Sequence, residues 1–72
     1  MQITHHTEQD THLITFHLSP GEPAPTWLQA RVIAALRLLN QGIEVGGYIR
    51  FYPEQEDENG RFLAVEFEQK LE

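Results

Sequence analysis

The 72-residue chain contains no cysteine, a single serine and only five basic residues. Without cysteine it has neither a disulfide framework nor a thiolate zinc site, which are the usual staples of small domains. The one serine, Ser19, lies between a predicted strand and a proline, without the surroundings of a nucleophile elbow. The pair Gly46 and Gly47 is too short to form a phosphate-binding loop. We therefore expect a protein that is not an enzyme and that needs no cofactor or metal.

Long apolar runs are also missing. No stretch approaches the roughly 20 apolar residues of a membrane span. The N-terminus has neither the basic start nor the apolar middle of a signal peptide, so we expect a cytoplasmic protein without membrane contact. A chain this short predicts one domain over residues 1–72, in which residues 71–72 are interpreted as a cloning remnant. A single core at this size is marginally stable, and association would stabilise it.

Basic residues are too few to balance the acidic ones. Eleven aspartate and glutamate residues face five lysine and arginine residues, which gives a net charge of −6 with histidine neutral. No cluster of basic residues offsets this charge locally, so binding to nucleic-acid phosphates is disfavoured. The same charge suits the basic groove of a protein partner, in the manner of a nucleic-acid-mimicking inhibitor.

One stretch, residues 26–42, carries the signals of a complete helix. Thr26 is a good N-cap residue, and Gln29 stands where its side chain completes a capping box. Gly42 suits the left-handed conformation that ends a helix, and Ile43 can then pack back on the last turn in a Schellman motif. The sequence predicts a helix that begins directly after Thr26 and ends just before Gly42.

The apolar residues of this helix cover more than one face. At about 100° per residue, the widest apolar arc is predicted to pack on a sheet and consists of Leu28, Val32, Ala35, Leu36 and Leu39. A second strip, with Ile33 beyond it, consists of Trp27, Ala34 and Leu38. Such a helix needs a second covering element. Either the proline-rich linker folds over Trp27, or Trp27, Ile33 and Leu38 belong to a homodimer or partner interface.

Two strands are predicted before the helix. Residues 11–18 alternate apolar and polar side chains with period two, and residues 2–7 can extend beside them. A two-residue turn at positions 8–9 would place His5 opposite His12. Neither residue of that turn adopts positive φ cheaply, so the turn is not a favoured one.

Two more strands are predicted after the helix. A strand over 48–52 stops at a proline, as edge strands do, and a strand over 61–68 is apolar on both faces of its first half, as central strands are. The acidic stretch 53–60 between them is predicted to be a mobile loop. A tight hairpin in perfect register would pair Phe51 with a carboxylate, so we predict a wider loop or a bulge that brings Phe51 near Leu63.

Together these elements predict an α+β two-layer sandwich of ββαββ type. One helix packs on an antiparallel sheet of four strands in the order 1-2-4-3. The second and third strands run in the same direction, and the fourth strand between them makes every neighbouring pair antiparallel. If the first segment frays, the fallback is a three-stranded βαββ sheet.

The sheet face away from the helix is the leading candidate for binding. Its predicted aromatic, charged and histidine members, which resemble the composition of interface hot spots, are Tyr48, Arg50, Tyr52, Phe62 and His17. We interpret the chain as a small acidic protein-interaction module that binds a partner or dimerises through this face, through the second helix strip, or through both. The alternatives are a sheet platform for single-stranded nucleic acid and a small enzyme of unidentified type.

Two clusters of polar residues suggest other chemistry. Four histidines lie in the first quarter of the chain: His5, His6, His12 and His17. Two adjacent imidazoles can begin a metal site, but no third ligand is placed by spacing, so the cluster instead suggests pH sensitivity near 6.5. The carboxylates over 54–58 lack the ligand spacing of a calcium loop and are interpreted as a solvated run of charge.

Overall fold

The structure, a computed structural model, describes residues 1–70. Its elements in chain order are β1 (Gln2–Glu8), β2 (Thr11–Leu18), α1 (Trp27–Asn40), β3 (Val45–Asp57) and β4 (Gly60–Gln69). The strands form one antiparallel sheet in the order β1-β2-β4-β3, and α1 packs on one of its faces. The predicted ββαββ sandwich and its strand order are confirmed. The interpretation of residues 71–72 as a cloning remnant lies outside the described residues.

Both ends of α1 form as predicted. The Thr26 hydroxyl accepts from the Gln29 N–H at 3.1 Å, and the Gln29 side chain accepts from the Thr26 N–H at 2.9 Å. At the other end Gly42 has a φ of +79°, and the Ile43 N–H donates to the Leu38 carbonyl at 3.0 Å. These are the bonds of a capping box and a Schellman motif. The length of the helix is therefore set by contacts among residues close in sequence.

The helix meets the sheet through a face of small residues, and this corrects the predicted core arc. Ala30, Ala34 and Leu38 are fully buried, four residues apart. They pack against the apolar side chains of the central strands, which are Ile14, Phe16, Leu18, Leu63, Val65 and Phe67. Two alanines let the helix backbone approach the sheet closely at native packing density. The arc predicted to be core therefore points away from the sheet, and only its Ala35 is partly buried.

The β1–β2 hairpin turns one residue later than predicted. Its two turn residues are Gln9 and Asp10, and Gln9 takes a positive φ of 54°. Because the turn moves, His5 pairs with Ile14 and not with His12. Glutamine has no special preference for this left-handed conformation, so the sequence carries no signal for the true turn.

β3 is much longer than predicted and includes the acidic stretch. Residues 53–57 belong to the strand, and the tight turn before Gly60 comprises positions 58 and 59. Gly60 itself has a φ of +118°. The prediction of a mobile loop here was wrong, since a β-bulge between Tyr52 and Gln55 accommodates the proline on an edge strand. At about 3.3 Å per residue, this long hairpin accounts for the 42 Å length of the molecule.

Bulges also set the pairing of β3 with β4, as predicted in kind. The register shifts three times along the hairpin. Phe51 pairs with Val65, two residues from the predicted Leu63, and it packs at the margin of the core. The shift keeps Phe51 on the helix side of the sheet.

Candidate interaction surfaces

The outward side of α1 is apolar. Four aliphatic side chains on this side are 50–55% exposed, and we call them the outer strip: Leu28, Val32, Leu36 and Leu39. A surface helix of a monomer normally places polar residues opposite its buried face. An apolar outer strip is therefore unusual for a helix on the surface of a monomer.

The two charged residues of α1, Arg31 and Arg37, lie on either side of its buried face and away from the outer strip. The Arg31 guanidinium lies over the Tyr48 ring, 4.7 Å from its centroid. Burial and the nearby His12 lower the pKa of His5 of β1, and Arg37 of the helix adds to that lowering. The helix carries no acidic residue. The outer strip itself is consequently free of charge.

An open apolar groove continues the outer strip past the start of the helix. It has a volume of about 670 Å³. Its lining joins the first turns of α1 to the N-terminus and the proline-rich linker, mainly through Met1, Pro23, Ala24, Pro25, Leu28 and Val32. Apolar surface therefore extends from the helix onto the neighbouring loop.

The predicted second strip of the helix is not one surface. Trp27 is 51% exposed, so the linker does not shelter it. Ile33 is partly buried and packs against the core. Leu38 is fully buried, which corrects its assignment to an interface, because no partner can reach it without unfolding the helix from the sheet.

Tyr48 lies on the opposite side of the sheet from its predicted position. A bulge between Tyr48 and Arg50 reverses the alternation of the strand at this point. Tyr48 consequently packs edge to face on Phe67, with ring centroids 6.1 Å apart, on the helix side. It belongs with the helix and not with the open face.

The remaining predicted residues share the open face of the sheet: Arg50, Tyr52, Phe62 and His17. Their polar groups are largely paired within the sheet. The Tyr52 hydroxyl donates to Glu66 at 3.2 Å, and the His17 ring lies 3.1 Å from the Thr4 hydroxyl. The rings of Tyr52 and Phe62 are half-buried by their neighbours. This face offers fewer unsatisfied groups than the sequence suggests.

Two of the histidines form a hydrogen-bonded pair beneath the end of α1. The Nε2 atom of His5 and the Nδ1 atom of His12 are 2.9 Å apart, although the residues are diagonal and not opposite neighbours. The buried His12 ring also contacts the Gln69 side-chain oxygen at 3.0 Å. Burial and the nearby His12 lower the pKa of His5 from 6.5. Within residues 1–70, no three histidine or carboxylate side chains are grouped to hold a metal ion.

The acidic hairpin end is tied to the linker by one arginine. Arg61 donates to both carboxylate oxygens of Glu54, at 2.9 and 3.3 Å, and to the Glu22 carbonyl at 2.8 Å. The hydrogen bonds from Arg61 lower the pKa of Glu54. Glu22 accepts from the Ser19 N–H at 2.8 Å, and this bond lowers the pKa of Glu22. These carboxylates therefore serve local structure.

The fold and the outer strip define a small α+β domain with an apolar surface on the outward side of its helix. Comparison with protein-family models, with curated proteins and with solved structures gives no match for this chain. In the described part of the chain, no helix is both long and apolar enough to cross a membrane.

Sequence reasoning missed the outer strip because it assigned those residues to the core. The signal that could have found it is the line of Ala30, Ala34 and Leu38, spaced four residues apart. Small residues on one helix face allow close packing on a sheet, even when a more hydrophobic face is present elsewhere on the helix.

Proposed function

We propose that this chain is a protein-interaction module that contacts its partner through the outer strip of α1. The observation that carries the proposal is the position of four aliphatic side chains, each at least half exposed, opposite the buried face of the helix. Contiguous apolar surface, such as that which continues here from the helix onto the groove, is uncommon on monomeric proteins and is typical of interaction sites.

The energy available at the outer strip is large for this molecule. Fully burying one aliphatic side chain contributes roughly 1.5–3 kcal/mol. Because each member of the strip is about half exposed, covering all four contributes on the order of 3–6 kcal/mol per chain. A single core of this size rarely supplies more than about 3–5 kcal/mol. The gross gain from covering the strip is therefore comparable to the net stability of the domain, and the free-energy cost of association is subtracted from it.

The open sheet face supports the alternative of single-stranded nucleic-acid binding less well. Arg50 lies directly opposite Glu66 on the neighbouring strand, so a negative charge stands beside the positive charge on this face. A platform for nucleic acid needs a positive field that follows the phosphate backbone. The chain's net charge of −6 opposes such a field.

Site-specific photo-crosslinking in the cells that make the protein tests the proposal. The photoreactive residue benzoylphenylalanine replaces Leu36 in the outer strip or, as a control, the exposed His17 on the open sheet face. We expect protein adducts of discrete mass from position 36 and none from position 17. Adducts from position 17 alone would assign the function to the sheet, and adducts from neither position would refute the proposal.

A pair of charge substitutions separates specific contact from general stickiness. Val32→Glu places a carboxylate one helical turn from position 36 and should abolish the adducts. Ile49→Glu makes a matched change at an aliphatic residue that is 42% exposed and lies on β3, and it should leave the adducts unchanged. Far-UV circular dichroism of both variants verifies that each is folded. Persistence of the adducts in the Val32→Glu chain would contradict contact through the outer strip.

A further inference from the structure

Four apolar residues of α1 have the same spacing whether they are counted from the start or from the end of the helix. Leu28, Val32, Ala35 and Leu39 are four, three and four residues apart, as in the seam of a coiled coil. We call these four residues the antiparallel seam. If a second helix of the same sequence lies antiparallel, each leucine meets a leucine, and Val32 meets Ala35. A two-fold interface requires a self-complementary surface of this kind.

We infer that the partner of the outer strip is a second copy of this chain, with the two α1 helices antiparallel about a two-fold axis. The inference rests on the proposed function, because it names the occupant of the same surface. In this arrangement Leu28 of one copy lies opposite Leu39 of the second copy. The small side chain of Ala35 faces Val32, which lets the two helices approach closely.

The distribution of charge favours this side of the molecule for self-association. Although the chain has a net charge of −6, residues 23–43 contain no acidic residue and two arginines. Two acidic copies therefore repel each other least when they meet through α1. Arg31 leans over Tyr48 and leaves the seam uncharged. A second copy thus meets an apolar surface without placing like charges in contact.

The groove beside the helix adds contact area to that of the two helices. A stable interface removes roughly 800 Å² of surface from each partner, about one sixth of the 4928 Å² exposed here. The 14 residues of α1 extend only about 21 Å. The two-fold arrangement lays Leu36 and Leu39 of the second copy beside the groove of about 670 Å³. Contact then includes Met1 and the linker prolines, and we expect a small, reversible dimer.

Cysteine crosslinking tests the register of the two helices. Because the chain has no native cysteine, disulfides can form only between the introduced residues. Leu28→Cys and Leu39→Cys chains are prepared separately, one of them labelled with nitrogen-15, then mixed and oxidised. A disulfide needs Cα atoms within about 7 Å, whereas identical positions in the antiparallel pair are separated by about 16 Å along the axis. We expect the mixed 28–39 disulfide to be the main product, with few 28–28 or 39–39 disulfides. A predominance of 28–28 and 39–39 links would indicate parallel helices and overturn the inference.

Light scattering over a concentration series measures association without crosslinking. The mass of the native chain should rise toward twice that of the monomer, and the Ile49→Glu variant should follow it. The Val32→Glu variant should stay monomeric at every concentration. A native chain that stays monomeric throughout, or a Val32→Glu chain that associates like the native one, would overturn the inference.

The two proposals fail in distinguishable ways. If no 28–39 link forms but position 36 still gives adducts with other proteins in cells, the second copy is wrong and the interaction module stands. If the chain instead binds phosphatidylcholine vesicles and shows no dimer, the inference is overturned in favour of a lipid surface. If neither adducts nor dimers are found, both proposals fall.

Discussion

Replacing each of two helix leucines with alanine tests which face of α1 is inside the domain. Leu38 is fully buried and Leu36 is 55% exposed, whereas hydrophobic periodicity predicts the opposite assignment. The change in helix propensity is the same at both sites, because leucine and alanine both rank among the best helix formers. The difference between the two variants therefore measures burial.

The expected magnitudes follow from that burial. Truncating a fully buried leucine to alanine costs about 2–5 kcal/mol, since transfer energy is lost and a cavity is left. At Leu36 only about half of the side chain leaves water and no cavity forms, so we expect a cost of about 1 kcal/mol or less. Against a total stability of about 3–5 kcal/mol, the Leu38→Ala chain should lose about half or more of its free energy of unfolding.

Urea unfolding followed by far-UV circular dichroism provides the measurement. The protein is kept dilute, so that association through the outer strip does not add to the free energy of unfolding. If Leu38→Ala unfolds outright, Leu38→Val and Leu36→Val replace the alanine pair, because a β-branched residue costs a helix the same at either site. Equal destabilisation at both positions, or a larger effect at Leu36, would refute the assignment of the buried face.

Three further predictions concern the sheet and its loops. Gly46→Ala should lower the free energy of unfolding by about 1–3 kcal/mol in urea, because its Cβ would lie 2.9 Å from the Lys70 Cα. Folding lowers the pKa of His5 from 6.5, so the unfolded chain binds more protons. Stability should therefore fall as pH drops from 6.5 through the folded-state pKa, and His5→Gln should flatten that dependence in urea titrations. Arg61→Lys should speed amide hydrogen exchange in the linker over 19–25, since lysine lacks the fork that donates to two linker carbonyls. If a variant gives the same result as the native chain, the contact that it tests is contradicted.

The sequence indicates that the helix has an uncovered apolar surface, but periodicity assigns the wrong residues to it. The excess of apolar residues around the helix was visible, and it indicated that the helix has more apolar surface than one sheet can cover. The members of that uncovered surface were misassigned. Trp27 is exposed as an interface requires, whereas Leu38 is fully buried and Tyr48 lies on the helix side.

The ends of α1, the extent of β2 and the order of the strands could be predicted from the residues alone. The caps depend on hydrogen bonds between residues a few positions apart, such as Thr26 and Gln29, so local residues suffice to predict them. The strand order follows from chain direction and the apolar character of β4. These features need no knowledge of distances between elements.

The buried face of α1 and the direction of each side chain of β3 depend on contacts between elements, and these contacts are visible in the fold and not in the local sequence. Hydrophobic periodicity ranks helix faces by apolar content and favours the leucine-rich arc. Packing selects the face that fits, and Ala30 and Ala34 allow the backbone to approach the sheet closely. Along β3 each bulge reverses the alternation of side chains, and the position of a bulge depends on pairing with β4 across the hairpin.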